Sequence, residues 1–270
     1  MGDEASARSI EPRAWQAVLE HVERQLLDGE LAPGDRLPGE RRLAADLGVG
    51  RSSVREALRV LEVLGLIRTH AGSGPTAGAI IIATPGGGMS ALMRLQVAAS
   101  GFPVRDIVAT RLVLEAHVAG DLATAAARGA ASAPDLGAAE RLLDAMDDSA
   151  LDPAEFLALD AAFHLALAEA SGNQVVSATM AGLRSGIEEY ALAGHDRIAD
   201  WATTSARLRA EHRGVLDAIR AADAAAARTR IHDHISGYYA EISDPGHRPG
   251  DDPTIATDPD RGAPGAPAHP

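Results

Sequence analysis

Residues 156–167 combine an apolar helical pattern with two side chains that can perform chemistry. The stretch reads FLALDAAFHLAL, in which ten of the twelve residues are apolar and the other two are Asp160 and His164. Residues four apart lie one turn apart on the same helix face, and Leu157 and Leu167 continue that face. Because a buried carboxylate is costly without a partner, this pair requires a mutual hydrogen bond, an ion pair or a metal ion.

Two further histidines occupy inward positions on later helical segments. The apolar stripes that contain them are Leu208, Val215 and Ile219 for His212, and Ile231, Ile235, Tyr238 and Ile242 for His234. His232 lies about 200° from His234 around the helix, so it points outward. One aspartate and three histidines on facing helices form a ligand set for Zn²⁺, which we favour, or for Ni²⁺ or Mn²⁺. Spacing alone leaves open that these are core histidines satisfied by hydrogen bonds.

Arg111 and Glu115 form a second polar pair on an otherwise apolar face. They lie four residues apart in VRDIVATRLVLEAHVAGDLA, on the side of the core-facing residues Ile107, Val108, Leu114 and Val118. One interpretation is an internal ion pair that braces two helices. The other is that Arg111 binds the carboxylate of a small ligand whose other oxygens bind the metal. Histidine ligands bind metal only when neutral, so metal and effector affinity should fall below about pH 6.

Composition limits the class of protein. The 270 residues suffice for one large or two medium domains, and the hydrophobic content of 46% suffices for a packed core. The absence of cysteine excludes disulfides, cysteine-bound zinc and a thiol nucleophile, and is consistent with a reducing compartment. We find no signal peptide and no run near the ~20 apolar residues of a membrane helix. The expectation is a soluble cytoplasmic protein with no membrane partner.

The charge is unevenly distributed along the chain. The net charge is −13, but residues 36–68 hold seven arginines and four acids, a local +3. Residues 81–270 hold 15 arginines and 26 acids, a local −11. The distribution matters more for nucleic-acid binding than the total. It indicates a small arginine-bearing module attached to an acidic body.

Hydrophobic periodicity predicts a mainly α-helical chain in two parts. The pattern predicts a winged helix-turn-helix with a small β-wing in residues 11–78. Its helices are predicted over 15–27, over 39–47 and from Ser52 or Ser53 to Leu64. A strand, a glycine-rich tip and a weak return strand are predicted over 66–78. Residues 79–88 are predicted to be a linker. Residues 89–243 are predicted to be an all-α bundle of six to seven helices, and Ala193–Gly194 is one of several predicted breaks between them. Residues 244–270 are predicted to be a disordered tail.

The second of the two short helices would present basic and hydroxyl side chains at its start. Arg51, Ser52, Ser53 and Arg55 lie at the end that enters a major groove in helix-turn-helix proteins. The arginine fork bonds guanine O6 and N7 or a phosphate. The alternative is that these arginines only solubilise a surface helix.

The motifs of this module match a known pattern. Residues 37–44 read LPGERRLA, residues 49–61 read VGRSSVREALRVL, and Gly65-Leu66 and Gly72-Ser73-Gly74 follow. This stretch resembles the winged helix-turn-helix of GntR-family transcription regulators. The resemblance implies that Arg41, Arg51 and Arg55 contact DNA and that the wing tip, with Gly72, reaches the minor groove. His70 next to the tip is included as a DNA contact, although an exposed histidine without a role is the alternative.

Two positions depart from this pattern. Gly50 stands where the pattern has Ser or Thr, and the sequence after the tip, Pro75-Thr76-Ala77-Gly78, is poor in β-formers. The second departure predicts a short wing.

The C-terminal part carries a second resemblance. A spaced motif is matched by Asp160 with Phe163-His164, by Ser171-Gly172-Asn173 and by Glu211-His212. It continues with Asp223, 11 residues after His212, and with His234, 11 residues after Asp223. The segment is similar to the FCD ligand-binding domain of the FadR subgroup of GntR regulators. The resemblance implies that Asp160, His164, His212 and His234 bind metal and that Arg111 lines the pocket. We include Glu115 and Asn173 with Arg111 in the predicted effector site.

These features together predict a metabolite-responsive transcription regulator. It would form a homodimer, bind a pseudopalindromic operator in double-stranded DNA, and respond to a small carboxylate that binds a divalent metal. One alternative is a regulator of the same class that senses an acyl ligand without metal. A metal-dependent hydrolase is the other. We predict that the chain is not an enzyme, because its sequence shows no separate general base, no nucleophile motif and no glycine-rich phosphate loop.

Overall fold

A computed structural model describes residues 14–70, 78–82, 85–99 and 101–243 of the chain. The chain divides into two compact units, Met1–Gly88 and Met89–Pro270, and each is described by itself. Among the described residues, no helix is both long enough and apolar enough to cross a membrane.

The first unit contains three helices and a two-stranded sheet. Its elements are α1 (Ala14–Leu27), α2 (Glu40–Leu47), α3 (Arg51–Val63), β1 (Ile67–His70) and β2 (Gly78–Ile81). Gly48, with a φ of 64°, ends α2 in the left-handed conformation that glycine adopts without strain. Val22, Leu43, Val54 and Ile67 pack in the core that holds α1–α3 against the sheet. This arrangement confirms the predicted winged helix-turn-helix.

The return strand lies further along the chain than the sequence indicated. β2 pairs antiparallel with β1, with Ile81 opposite Ile67, and both isoleucines are buried. The strand therefore occupies residues predicted to be a linker, because Ala79 and Ile81 supply the apolar side chains that Pro75–Gly78 lacks. Residues 71–77, including Gly72 and the predicted wing tip, lie outside the described residues.

The start of α3 also differs from the prediction. The helix begins at Arg51, and Gly50 is its N-cap with no side-chain hydrogen bond. Neither Ser52 nor Ser53 is the cap, because both lie within the helix. The first backbone N–H groups of α3 therefore remain without a side-chain cap, which leaves them available to an external anion.

The second unit is built from helices, with no strand among its described residues. The helices are α4 (Pro85–Ala98), α5 (Val104–Ala127), α6 (Gly137–Ala145), α7 (Pro153–Ala170), α8 (Gln174–His195), α9 (Trp201–Arg220) and α10 (Ala224–Ile242). A 3₁₀ turn at Ala130–Ser132 follows α5. The seven helices confirm the predicted all-α bundle. α4 begins at Pro85, so the segment predicted to be a linker is structured at both ends.

Local sequence sets where the helices of the site begin. Asp152 and Glu155 form a reciprocal capping box at the start of α7, with Pro153 as the first helical residue. Asp200 caps α9 and Asp223 caps α10 through hydrogen bonds to backbone N–H groups of the first turn. These caps fix the rotation at which α7, α9 and α10 present their inward residues.

The core of this unit surrounds α5. α5 packs against α10, α7 against α8, and α9 against α10. Aromatic and aliphatic side chains from these helices fill the interior, among them Phe156, Phe163, Met180, Leu208, Ile219 and Ile231. The polar residues of the site project into this apolar interior.

Helix α8 ends at His195, which confirms the predicted break at Ala193–Gly194 to within two residues. Gly194 lies in the last turn, and a Cβ atom there would lie 2.5 Å from Cβ of Ile242 on α10. The glycine therefore permits close packing of the two helices.

The substitution Gly194→Ala should therefore destabilise the protein by about 1–3 kcal/mol through overpacking. Gly237 is the matched control, because it lies in α10 and a Cβ atom there would meet no other atom within 4 Å. At that position alanine should stabilise the helix by about 0.5–1 kcal/mol. Urea denaturation followed by circular dichroism measures both. Equal effects of the two substitutions would contradict the close contact between α8 and α10.

Candidate functional site

Four potential metal ligands from three helices meet in the interior of the second unit. Asp160 and His164 come from α7, His212 from α9 and His234 from α10, and one ligand atom of each lies within 4.8 Å of all the others. His212 is 0% exposed and His164 is 1% exposed. The structure thus brings together the four residues that the sequence predicted as ligands.

The histidine nitrogens converge at distances suited to a shared cation. Nε2 of His234 lies 3.2 Å from Nε2 of His164 and 3.1 Å from Nε2 of His212. Nε2 of His212 lies 3.2 Å from Oδ1 of Asp160. Two imidazoles bound to one metal at about 2.1 Å have nitrogens about 3.0–3.4 Å apart. The distances therefore fit a common metal.

The outer nitrogens of two histidines are held by carboxylates. Nδ1 of His164 contacts Oε2 of Glu115, and Nδ1 of His234 lies 2.8 Å from Oε2 of Glu211. Because a carboxylate accepts the Nδ1 proton, each Nε2 presents a lone pair to the centre. Lone pairs that face one another at this distance repel unless a proton or a metal cation lies between them. The chemistry of the donor set therefore fits a divalent metal.

His212 is oriented by packing. Its Nδ1 is buried and has no hydrogen-bond partner among the described residues. The ring packs against Phe163, with a centroid distance of 4.5 Å. The apolar wall thus replaces the carboxylate that the other two histidines have.

Burial also prepares the ionisation states that a metal needs. Burial lowers the pKa of His212 to about 4. Burial likewise lowers the pKa of His234, although Glu211 opposes the shift. For Asp160 burial would raise the pKa, but the hydrogen bond with His212 and the nearby histidines lower it below its usual value. Protons therefore compete for His212 and His234 only below the pH of about 6 that ordinary histidines would give.

Arg111 on α5 connects the cluster to α8. Its Nε donates to Oε1 of Glu115 at 2.7 Å, and its Nη1 donates to the hydroxyl of Tyr190 at 2.6 Å. Burial would raise the pKa of Glu115, but Arg111 and His164 lower it to about 2. Glu115 therefore bridges Arg111 and His164 with both carboxylate oxygens, whereas the sequence pattern had placed it among the effector contacts.

A small cavity adjoins the cluster. Its lining residues are Arg111, Leu157, Asp160, Ile187, Ala191, Leu208, His234, Ile235 and Tyr238. Arg111, Asp160, His234 and Tyr238 are the lining residues with polar groups, and the others are apolar. The free space accommodates about one water molecule.

Asn173 is not part of this site. It is exposed, and its side-chain oxygen accepts hydrogen bonds from the backbone N–H groups of Val175 and Val176. In this structure it caps α8. Its contact with an effector stays a prediction.

Three residues beside the cluster were not predicted from the sequence, namely Tyr190, Glu211 and Tyr238. Glu211 precedes His212 in the chain, but its hydrogen bond to His234 on another helix depends on tertiary packing. Tyr238 lies on the stripe of His234 and gave an apolar signal only. Nothing in the sequence around Tyr190 distinguished it from other core residues.

The exposed face of α3 carries the predicted DNA-contacting side chains. Arg51, Ser52 and Arg55 are exposed and Ser53 is half-buried. Arg55 donates to Glu40 on α2, with 3.0 Å between Nη2 and Oε2, and this bond holds the pKa of Glu40 below its usual value. The pair fixes the direction of one guanidinium on an otherwise open surface.

The other predicted DNA residues also lie on the surface of this unit. Arg41 is exposed on α2, and His70 is exposed at the end of β1. Gly72 falls outside the described residues.

Comparison with protein-family models identifies both parts of the chain. Residues 15–76 match the model described as "Bacterial regulatory proteins, gntR family", and residues 106–237 match the model described as "FCD domain". The match positions correspond to the winged helix-turn-helix and to the helices that carry the cluster.

Individual proteins match over most of their length. The chain is 30% identical to the HTH-type transcriptional regulator LutR of Bacillus subtilis over 225 residues, covering 79% of this chain and 97% of that protein. It is 30% identical to the putative L-lactate dehydrogenase operon regulatory protein of Escherichia coli over 231 residues, covering 83% and 84%.

A solved structure also matches. It is described as Streptococcus agalactiae GntR, with a TM-score of 0.52 and 26% identity, and the match covers 86% of this chain and 100% of that one. The chain belongs to the GntR family of bacterial regulatory proteins, in its FadR-like subgroup, and is a transcription regulator with a winged helix-turn-helix and an FCD domain.

Proposed function

We propose that the chain is a metabolite-responsive regulator in which a divalent metal and a small carboxylate bind together beside Arg111. The observation that carries the proposal is the convergence of three histidine Nε2 atoms on the Asp160 carboxylate. Asp160, His164, His212 and His234 would hold the metal, with zinc favoured and nickel or manganese as alternatives. The bound metal would supply positive charge and open positions for carboxylate oxygens.

Arg111 is the residue proposed to receive the effector carboxylate. It lines the cavity together with Asp160 and His234, so a ligand there would contact both the guanidinium and the metal. A charge-assisted bond to arginine is stronger than a neutral one in a buried site. Glu115 keeps the guanidinium in place through Nε and Tyr190 accepts from Nη1, so an effector carboxylate would bond Nη2 or replace Tyr190 at Nη1.

The packing of α4 on α8 offers a route from this site toward the DNA-binding module. Ser90 on α4 donates to the carbonyl oxygen of Ala178 on α8 at 2.9 Å. A Cβ at Gly182 would lie 2.4 Å from Cβ of Met93, so the two helices approach closely. A shift of α8 on effector binding would move α4, whose first residue follows the winged helix-turn-helix closely in the chain. We propose that this movement of α4 changes the spacing of the two DNA-binding modules in a homodimer.

Metal binding should depend on His234 and be independent of His232. The two residues lie on α10, but His234 points into the cluster and His232 is exposed. We expect His234→Gln to lower zinc affinity by more than about 100-fold, and His232→Gln to leave it unchanged. Competition with a chromogenic chelator and elemental analysis measure this. A wild-type protein that takes up no zinc, nickel or manganese would favour the acyl-ligand alternative.

Operator binding should depend on the start of α3. We expect Arg51→Ala to weaken binding to the chain's own upstream DNA about 10- to 100-fold and to reduce its salt dependence by about one counterion. Arg105→Ala removes the same charge from an exposed position at the start of α5 and should have no effect. Fluorescence anisotropy at several salt concentrations gives both quantities. Loss of equal size in the two variants would indicate nonspecific attraction.

The operator should be bound by a homodimer. Winged-helix proteins that read two half-sites pair their recognition helices with the symmetry of the DNA. We expect sedimentation equilibrium to give twice the mass of the chain, with two chains per pseudopalindromic duplex. A stable monomer at micromolar concentration that still binds the duplex as one chain would contradict this.

A further inference from the structure

The hydroxyl of Tyr190 on α8 is a hydrogen-bond partner of the Arg111 guanidinium. It accepts a hydrogen bond from Nη1 at 2.6 Å, and the tyrosine is 8% exposed. Glu115 accepts a hydrogen bond from Nε of the same guanidinium. The guanidinium thus has two partners, a carboxylate on its own helix and a neutral hydroxyl on a different helix.

Tyr190 is the weaker of these two partners. Burial raises the pKa of its phenol, so the group that accepts from Arg111 at neutral pH is uncharged. A carboxylate oxygen accepts an arginine N–H more strongly than a neutral oxygen does, because both partners are then ionised. A ligand carboxylate that reached Nη1 would therefore replace the phenol with a gain in free energy.

The small size of the cavity beside Arg111 means that a carboxylate ligand can bind there only if it replaces Tyr190. Its free space accommodates about one water molecule, which is too little for a carboxylate with any carbon chain. Two of its apolar wall residues, Ile187 and Ala191, lie on α8 next to Tyr190. Movement of Tyr190 away from Arg111 thus removes a competitor and moves the helix that forms one cavity wall.

We propose that Tyr190 is a latch, a residue whose hydroxyl fills the ligand's place on Arg111 until a carboxylate effector displaces it. The proposal rests on the effector site described above. Tyr190 lies between Gly186 and Gly194, where α8 touches Val97 of α4 and Ile242 of α10 without intervening side chains. Release of the latch would therefore change the position of α8 relative to α4, and the ligand would favour the released state.

The latch and a bracing role predict opposite results for Tyr190→Phe. A brace orients Arg111 for the ligand, so removal of the hydroxyl would weaken binding. A latch competes with the ligand, so removal of the hydroxyl should tighten binding by the strength of one hydrogen bond, about three- to tenfold. Tyr239→Phe is the matched control, because the hydroxyl of Tyr239 has no hydrogen-bond partner among the described residues and its ring contacts Tyr190.

The test uses calorimetric titration of the zinc-loaded full chain with glycolate and with L-lactate. These 2-hydroxycarboxylates offer one carboxylate oxygen to Arg111 and a second oxygen with the hydroxyl to the metal. We expect a Kd about three- to tenfold lower for Tyr190→Phe than for the wild type, an unchanged Kd for Tyr239→Phe, and no binding to Arg111→Gln. Binding to Tyr190→Phe alone, with none to the wild type, would also support the latch.

An unchanged or higher Kd for Tyr190→Phe, or binding of neither probe to either protein, overturns the latch. The zinc content of the same samples reports separately on the proposed metal centre. A wild type that holds no metal counts against the proposed function, whereas a wild type that holds zinc and binds the probes no more weakly than Tyr190→Phe counts against the latch alone. Near-UV circular dichroism confirms that each variant keeps the native packing.

Discussion

The cost of burying charge organises the second unit of this protein. Asp160, Glu115 and Arg111 all lie inside an apolar bundle, and the histidines among them are kept neutral where burial lowers their pKa. When all three histidines are neutral, as metal ligands must be, two negative groups and one positive group leave this interior with one uncompensated negative charge. Such a charge is expensive in a low-dielectric site. A divalent cation would reverse the sign, and a singly charged carboxylate beside it would then bring the interior to neutrality. The same charge balance supports the proposal that the site takes a metal and an anion together.

That balance depends on three helices presenting their polar residues at the correct rotation. α7, α9 and α10 each begin at an aspartate cap, and each contributes ligands from within its first four turns. The carboxylates of Glu115 and Glu211 then fix two imidazoles from outside the cluster. Because the outer contacts join different helices, a change in helix packing alters the direction of the ligand atoms. Under the proposed function, metal affinity and helix packing would therefore be linked, and each would stabilise the other.

The sequence predicts the parts of this arrangement that follow from helical periodicity and local motifs. The four-residue spacing of Asp160 and His164 predicted that both lie on one helix face. The apolar residues at helical spacing around His212 and His234 predicted that those side chains point inward. Contacts between helices could not be predicted in this way, since the bonds of Glu211 to His234 and of Arg111 to Tyr190 depend on packing distance. Nor did the sequence show that Gly194 packs closely against α10 or that the Asn173 side chain caps α8. The return strand lay further along because buried isoleucines, and not the residues after the tip, determine its register.

The FCD domain and the winged helix-turn-helix lie in separate units, and α4 spans the boundary between them in the chain. Within the second unit, α4 rests on small residues of α8. Close contact through glycine leaves little room for side chains to absorb a displacement, so the proposed shift of α8 would be passed to α4. An effector produces such a shift only if it binds one position of α8 better than the other. A site in which a carboxylate competes with a residue of α8 for one arginine meets that condition. Its ligand then has different contacts in the two states, and by reciprocity DNA binding alters effector affinity by the same factor.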